Sequence, residues 1–382
     1  MRIKPHHIFK NNRGIALIIT LSIIAVLIVV TMELNRKVRS TVVTIATARD
    51  KLTLSHIASS GINIGMAILT KDKKSDPAEG LDSVQEDWAR PEKISEVLQD
   101  IPFEKGSVSL EISDELGRIQ LNALLEKFPG NKENRTQRAL LDNLLRPVIS
   151  EDEESELNAT TRIVDFIKDW LDKDDENSSQ IGEEGESDYY ESLDPPYSCK
   201  NGPFIHINEL LLVKDIKPEY FHSAGESKGL SDYLTVYGMA ASNTKTGASF
   251  SYEGKININT AELPVIEAIF GEEEEECAQS VYDYREEKDE DSEFLNSLDK
   301  GWYKTVIGCG EIKNKYDQLI RTSSDYFRIE STATLFDLQL TVTAVIIREK
   351  DKKTNKWKCR VLSWETGDKK QAKKDEQKNS GD

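Results

Sequence analysis

The sequence predicts an α+β fold: a long N-terminal helix packed on an antiparallel sheet whose strands come from both ends of the chain, with a large all-α block inserted between them. Three observations predict it. Residues 14–32 form an uncharged apolar run, and helical spacing continues beyond it without a proline to about residue 70. Alternating strand patterns occur at 106–113 and recur after residue 325. Between those two regions the apolar residues fall at helical intervals.

The first element is RGIALIITLSIIAVLIVVTM, with no charge between Arg13 and Glu33. A helix rising about 1.5 Å per residue over that length approaches the roughly 30 Å thickness of bilayer hydrocarbon, so the run can span a membrane. It differs from a secretory signal because no small-x-small pair follows it, and Arg13-Gly14 stands on its N-terminal side. A peptidase cutting after Gly14 would leave the apolar helix on the mature protein with Ile15 as its first residue. Arg2, Lys4, Lys10 and Arg13 place the N-terminal side in the cytoplasm, a bias weakened by Arg36, Lys37 and Arg39 at the other end. Val38, Val42, Ile45, Leu52, Ile57, Ile62, Met66 and Leu69 continue the helix to about residue 70, amphipathic enough in its upper half to pack on a sheet. A membrane anchor followed by an unrelated helix is the competing reading.

Residues 72–80 are a polar break, and 88–103 read as a short helix and connection. Val108, Leu110 and Ile112 alternate with polar residues as in a half-buried strand; Asp114-Glu-Leu-Gly117 is a turn, and 118–122 the returning strand of a hairpin. Helical periodicity then covers 123–214, with Leu140, Leu141, Leu144 and Leu145 and later Ile163, Ile167, Trp170 and Leu171. More helix is expected at 261–284 and on to about 320. Strands resume at 326–333, 338–348 and 356–364, and the charged tail from residue 367 reads as disordered.

Composition narrows the function. The chain has 382 residues and a formal net charge of -18, which argues against a nucleic-acid partner and is compatible with divalent cations. Cys199, Cys277, Cys309 and Cys359 show no CxxC spacing. An even count suits disulfides in an oxidising compartment, with buried free thiols an equal alternative. Cys277 with Cys309 is the favoured pair, since both fall in one helical region.

The densest cluster of chemistry is Asp169, Asp172, Asp174, Asp175 and Glu176, followed by Glu183, Glu184, Glu186 and Asp188 before Tyr189-Tyr190. Such carboxylates repel unless a hard cation or water screens them, and calcium takes several oxygens from a flexible loop. A solvated acidic loop is the alternative. Asp172, Asp174, Glu176 and Glu183 fall at the first, third, fifth and twelfth places of an EF-hand loop, but Asn177 replaces its Gly, so that match is accidental. Lys255-Ile-Asn-Ile-Asn-Thr-Ala261 followed by Ile269-Phe-Gly271 looks like the start of a helix-hairpin-helix element, with a diverged second copy at 205–216. Glu272 to Glu276 would repel phosphate there, which makes the motif structural. The five histidines are scattered and neither GxSxG nor HExxH occurs, so no catalytic site is expected.

Taken together, these residues resemble the K-type minor pseudopilins of bacterial type II secretion systems. The resemblance covers nearly the whole chain: Arg13-Gly14-Ile15-Ala-Leu-Ile, Asp114 to Asn122, Asp169-Trp-Leu-Asp-Lys-Asp174, Glu186 with Tyr189-Tyr190, Pro195-Pro-Tyr197, Asn208 to Val213 and Ile256 to Ala261. Gln120 replaces an Asn usual in that family, and Ser187 an Asp. The resemblance implies a leader 1–14 removed by a prepilin peptidase, methylation of Ile15, and a transmembrane part 15–32. It implies a pilin-like domain from 33–125 and 321–366, an inserted helical domain of SAM or helix-hairpin-helix kind at 126–320, and a tail 367–382. Calcium would be held by Asp172, Asp174, Glu186 and Asp188, with Asp175 next. Pilin-like subunits usually carry Glu at the fifth mature position, where it can pair with a neighbour's N-terminal amine; here that position is Ile19, which suits a subunit at the tip. The implied partners are the I and J minor pseudopilins, with the H type a further candidate, and the inner-membrane assembly platform, with the C-terminal domain in the periplasm and no nucleic acid. A membrane-anchored periplasmic hydrolase and a DNA-uptake binder are the rival readings.

Overall fold

A single helix, α1 (Arg13–Ser75), runs through the apolar stretch and on into the folded body. In the computed structural model, residues 13–75, 80–149, 153–174, 176, 186–222, 228–240, 249–309 and 315–367 are described. Nothing breaks α1, because no proline falls between Arg13 and Ser75. Its first part, long and apolar enough to cross a membrane, is unburied; burial begins near Leu54.

The chain then forms α2 (Pro91–Gln99), β1 (Ser107–Asp114) and β2 (Ile119–Gln120). After them come α3 (Arg135–Ile149), α4 (Glu153–Leu171), α5 (Glu186–Glu191), α6 (Pro218–Phe221) and α7 (Leu230–Tyr233). Next are β3 (Leu234–Thr235), β4 (Ile256–Asn257), α8 (Leu263–Phe270) and α9 (Glu275–Glu286). The chain closes with β5 (Ile320–Arg321), β6 (Tyr326–Leu335), β7 (Leu338–Lys350) and β8 (Trp357–Gly367).

Strands β1, β6, β7 and β8 make one antiparallel sheet in that spatial order, so its strands do come from both ends of the chain. Alternate residues of β6 are buried, and Phe327, Ile329, Ala333 and Leu335 meet Leu54, Ile57, Ile62 and Leu69 of α1 in one core. Helix and sheet approach closely because α1 presents Gly61 and Gly65 to them. A Cβ at Gly61 would collide with Ser331 Oγ, and one at Gly65 would lie 2.9 Å from Ile329 Cγ2.

Residues 119–320 build a second core of their own from α3, α4, α8, α9 and the segments between them. This block is helical but carries two short parallel pairs, β2 with β3 and β4 with β5. The expected hairpin at 118–122 is not formed: β2 pairs with β3 rather than with β1. Buried acids turn the chain away, since Asp114 Oδ1 accepts from Leu116 N at 2.7 Å and Glu115 is held by Arg118, Arg328 and Thr235. The expected helix at 261–284 is two helices divided by Gly271 at φ 76°, and the expected motif copy at 205–216 is a 3₁₀ turn, Ile207–Leu212.

The segment 80–89 straps the two cores together. Asp82 N donates to Thr322 O at 3.0 Å, Val84 N to Asn259 O at 3.3 Å, and Gln85 Nε2 to Arg285 O at 3.1 Å. Asn257 Nδ2 donates to both Asp82 O (2.9 Å) and Asp114 Oδ2 (2.7 Å). Arg348 of β7, fully buried, donates to Asp82, Ser324 O, Asp72 and Leu69 O, and Lys73 lies 3.1 Å from Asp82 Oδ2.

Glu86 is the third carboxylate of this joint. Its Oε2 accepts from Ser83 N at 2.9 Å and Trp88 Nε1 at 2.8 Å. Burial, with the nearby Asp72 charge adding, pushes its pKa from an ordinary 4.5 up to about 7. A carboxyl with a raised folded pKa contributes stability that is present below pH 4.5 and lost as pH rises through 7. Denaturant titrations should therefore find E86Q gaining on the parent chain between pH 5 and pH 8, by about 1–3 kcal/mol. Parallel pH profiles for the two would show that Glu86 does not titrate in that window.

Candidate functional site

The acidic loop begins where α4 ends. Asp172 N still bonds to Lys168 O at 2.9 Å, and its carboxylate is buried with Oδ2 accepting from Lys168 Nζ at 3.0 Å. Oδ1 has no hydrogen-bond partner among the described residues. Burial is the main cause that pushes the Asp172 pKa up to about 6. Asp174 is oriented by Asn131 Nδ2, which donates to its Oδ2 at 2.8 Å, and its backbone carbonyl accepts from Asn201 Nδ2 at 2.9 Å. Asn201 Oδ1 is a second buried oxygen without a partner among the described residues.

Aromatic contacts bring the far side of the loop to the near side. The Trp170 ring, two residues before Asp172, meets the Tyr190 ring edge-on at a 5.4 Å centroid distance, and Tyr190 lies two residues beyond Asp188. Tyr197 packs on both rings. The ends of α4 and α5 are thereby held side by side, with Asp188 exposed on α5. Glu186 belongs to α5, but its side chain, like Asp175, Glu183 and Glu184, lies outside the described residues.

One anionic and one amide oxygen, both buried and without a donor, are the hard ligands calcium takes. The residues present therefore fit a divalent cation. Asn201, at φ 48°, is a candidate that acidity cannot reveal, though the Asn201-Gly202 turn signal marks it in the sequence. Among the described residues the trio of carboxylates drawn within 4.8 Å is instead Asp72, Asp82 and Glu86. Lys73 and Arg348 already neutralise that group, which makes it a joint rather than a metal centre.

The remaining sequence candidates are placed as follows. Gly14, Ile15 and Ile19 lie on α1, the two isoleucines 54% and 53% exposed among other apolar side chains. Glu272 pairs with Arg146, and Glu274 with Lys315 at 2.9 Å, so the acidic run after Gly271 is tied into ion pairs. Cys277 and Cys309 form a disulfide, while Cys199 and Cys359 are thiols.

The family model for Type II secretion system (T2SS), protein K matches residues 117–226, a span that includes the acidic loop. Over 365 residues the chain is 25% identical to the Type II secretion system protein K of Pseudomonas aeruginosa, covering 94% of both sequences. The likeness is to the type II secretion protein K family. The protein K of Aeromonas hydrophila is 24% identical over 363 residues, 90% of this chain and 95% of that one. Among solved structures, a chain from the crystal structure of the GspK-GspI-GspJ complex of the enterotoxigenic Escherichia coli type 2 secretion system superposes with a TM-score of 0.59. That likeness, at 17% identity over 85% of this chain and 99% of the other, is one of fold. The matches to protein K support a minor pseudopilin of type II secretion, a part of protein transport.

Proposed function

We propose that this chain caps the pseudopilus and seeds its assembly together with I- and J-type minor pseudopilins, α1 resting in the inner membrane and the folded body in the periplasm. The observation that carries the reading is α1. Its residues 14–45 are all exposed, and the fifth position after Gly14 is Ile19, where a carboxylate would reach for a neighbouring amine. A subunit lacking that carboxylate suits the leading end of a filament. The fold relative was crystallised in a complex of GspK, GspI and GspJ. In this reading the prepilin peptidase cuts after Gly14, Ile15 is methylated, and the assembly platform extracts the helix; no catalytic chemistry is asked of the body.

The two separate cores support a pilin-like domain interrupted by a helical insertion, whose core begins at Ile119, a few residues before the expected boundary of 125/126, and ends at Ile320. Copurification from membranes with tagged I- and J-type pseudopilins tests the tip reading, and loss of both partners from the full chain overturns it. Intact mass tests processing: the membrane form should lack residues 1–14 and carry one added methyl.

Calcium bound in the insertion by Asp172, Asp174, Asp188, Glu186 and Asp175, with Asn201 joining them, would stabilise the folded form alone. At a free concentration 100 times the Kd the gain is about 2.7 kcal/mol. The detergent-solubilised chain should melt higher in millimolar calcium than in chelator, and D172N should lose that difference. Equal melting of the parent chain in both conditions would remove the metal from the account.

A further inference from the structure

Three carboxylates and two cations meet at the joint between the cores, so its charges balance only if one carboxylate holds a proton. Asp72, Asp82 and Glu86 bring oxygens within 4.8 Å of one another. Lys73 Nζ lies 3.1 Å from Asp82 Oδ2, and the Arg348 guanidinium holds both Asp82 and Asp72. Among the described residues no ion pair joins either cation to Glu86, whose Oε2 accepts from Ser83 N and Trp88 Nε1. The other charged groups on the elements packed here are engaged elsewhere: Arg321 with Glu253 and Asp325, Arg285 with Glu286, and Arg90 with Glu92 and Glu293. Asp114 is bound to Asn257 and Thr260, and Lys71 and Lys74 of α1 line a separate hollow beside Cys359.

Ionised Glu86 would put one surplus negative charge in a site where Asp82 and Arg348 are buried and Glu86 itself is half-buried. A third anion beside two others and away from water is unfavourable, so one of the three must take a proton or leave. Glu86 is the member able to leave. Asp82 is fixed by Arg348, Lys73 and Ser324 N, and Asp72 by its place on α1, whereas Glu86 stands on the 80–89 strap. The strap's bonds to the helical block start from its immediate neighbours: Val84 N donates to Asn259 O, and Gln85 Nε2 to Arg285 O and Asn296 O. Movement of Glu86 toward water takes those bonds with it.

We propose that the strap is a proton-operated clasp: protonated Glu86 lets residues 83–89 lie against both cores, and its ionisation releases them from the helical block while each core stays folded. The proton belongs on Oε1, because Oε2 already accepts two donors. On release it passes to solvent, and the carboxylate follows it into water. Asp82 stays with Arg348 and Lys73, and the block stays tied through Asn257 to Asp114 at 2.7 Å and through Thr235 to Glu115. The cores thus gain freedom relative to one another without coming apart. The raised pKa of Glu86 agrees with the charge count and sets the direction: the clasp is firmest below pH 4.5 and has lost this contribution above about 7.

Amide exchange of the detergent-solubilised full chain, read as protection factors between pH 5 and pH 8, tests the clasp. In the parent chain, peptides covering 82–89 should lose protection about 10–100-fold over that range, and at pH 8 should exchange at least about tenfold faster than β6, β7 and α8. E86Q, neutral throughout, should change by less than about twofold. D72N removes one of the three anions and keeps an amide oxygen for Arg348. It should move the pH at which the loss levels off, near 7 in the parent, down by about 1 unit, a shift that a merely structural strap would not show. Equal strap protection at pH 5 and pH 8 in the parent overturns the clasp, as does an E86Q strap that opens with pH like the parent's. Strap and cores exchanging at one common rate at pH 8 would mean global unfolding and overturn it too, and so would an unmoved D72N profile.

Discussion

Arg348→Met is expected to lower the stability of the chain by about 3–5 kcal/mol, the range for breaking a buried ion network by removing one partner. The guanidinium has no exposed surface, lies 4.5 Å over the Phe327 ring, and donates to Asp82, Asp72, Ser324 O and Leu69 O. Methionine fills comparable volume but leaves Asp82, itself unexposed, with Lys73 as its remaining cationic partner, and strips two carbonyls of a donor. The loss should be felt in both cores, because α1, the 80–89 strap and β7 all end on this group. Adding Asp82→Asn should recover part of the loss by removing the stranded charge. Denaturant unfolding of the single and double variants checks this, and a single-variant loss below about 1 kcal/mol would mean the network contributes little.

Removing the Cys277–Cys309 disulfide should cost about 3–4 kcal/mol, the loop-closure value for a bond spanning 32 residues. Unlike the Arg348 variant, C277A/C309A should act on one core. The bond ties α9 to the segment after Trp302, whose indole donates to Asn259 Oδ1 at 2.7 Å inside the helical block. Amide exchange should accelerate through α8 and α9 and leave β6 and β7 protected. Reductant should move the parent chain to the variant's stability and leave the variant where it is; equal stability of oxidised and reduced parent chain would refute the contribution.

The elements that were legible in the sequence are those whose signal is local. The alternation in β6 and β7, the proline-free course of α1 and the helical spacing of α3 all depend on residues a few positions apart. The stretch after Asp114 was misread for the opposite reason. Ile119 and Leu121 alternate as they would in a hairpin strand, and what redirects them is burial of Asp114 and Glu115 against Asn257, Thr260, Thr235 and Arg328, all more than a hundred residues away. Two-residue parallel pairs such as β4 with β5 leave no periodicity to find. In the candidate metal loop, charge density marked Asp172 and Asp174, while neutral Asn201 reaches Asp174 only through the folded chain.

The glycine seats of α1 also have a mechanical meaning. From Ile15 to the start of burial near Leu54 is a rod of 54 − 15 = 39 residues, about 58 Å long. Sway of about 5° where it is gripped would carry its foot about 5 Å sideways, a large fraction of a helix diameter. Gly61 and Gly65 bring backbone onto side chains of the sheet with no flexible group between them, so the grip is stiff. Force applied to the foot is then delivered to the head as translation, with little lost to tilting.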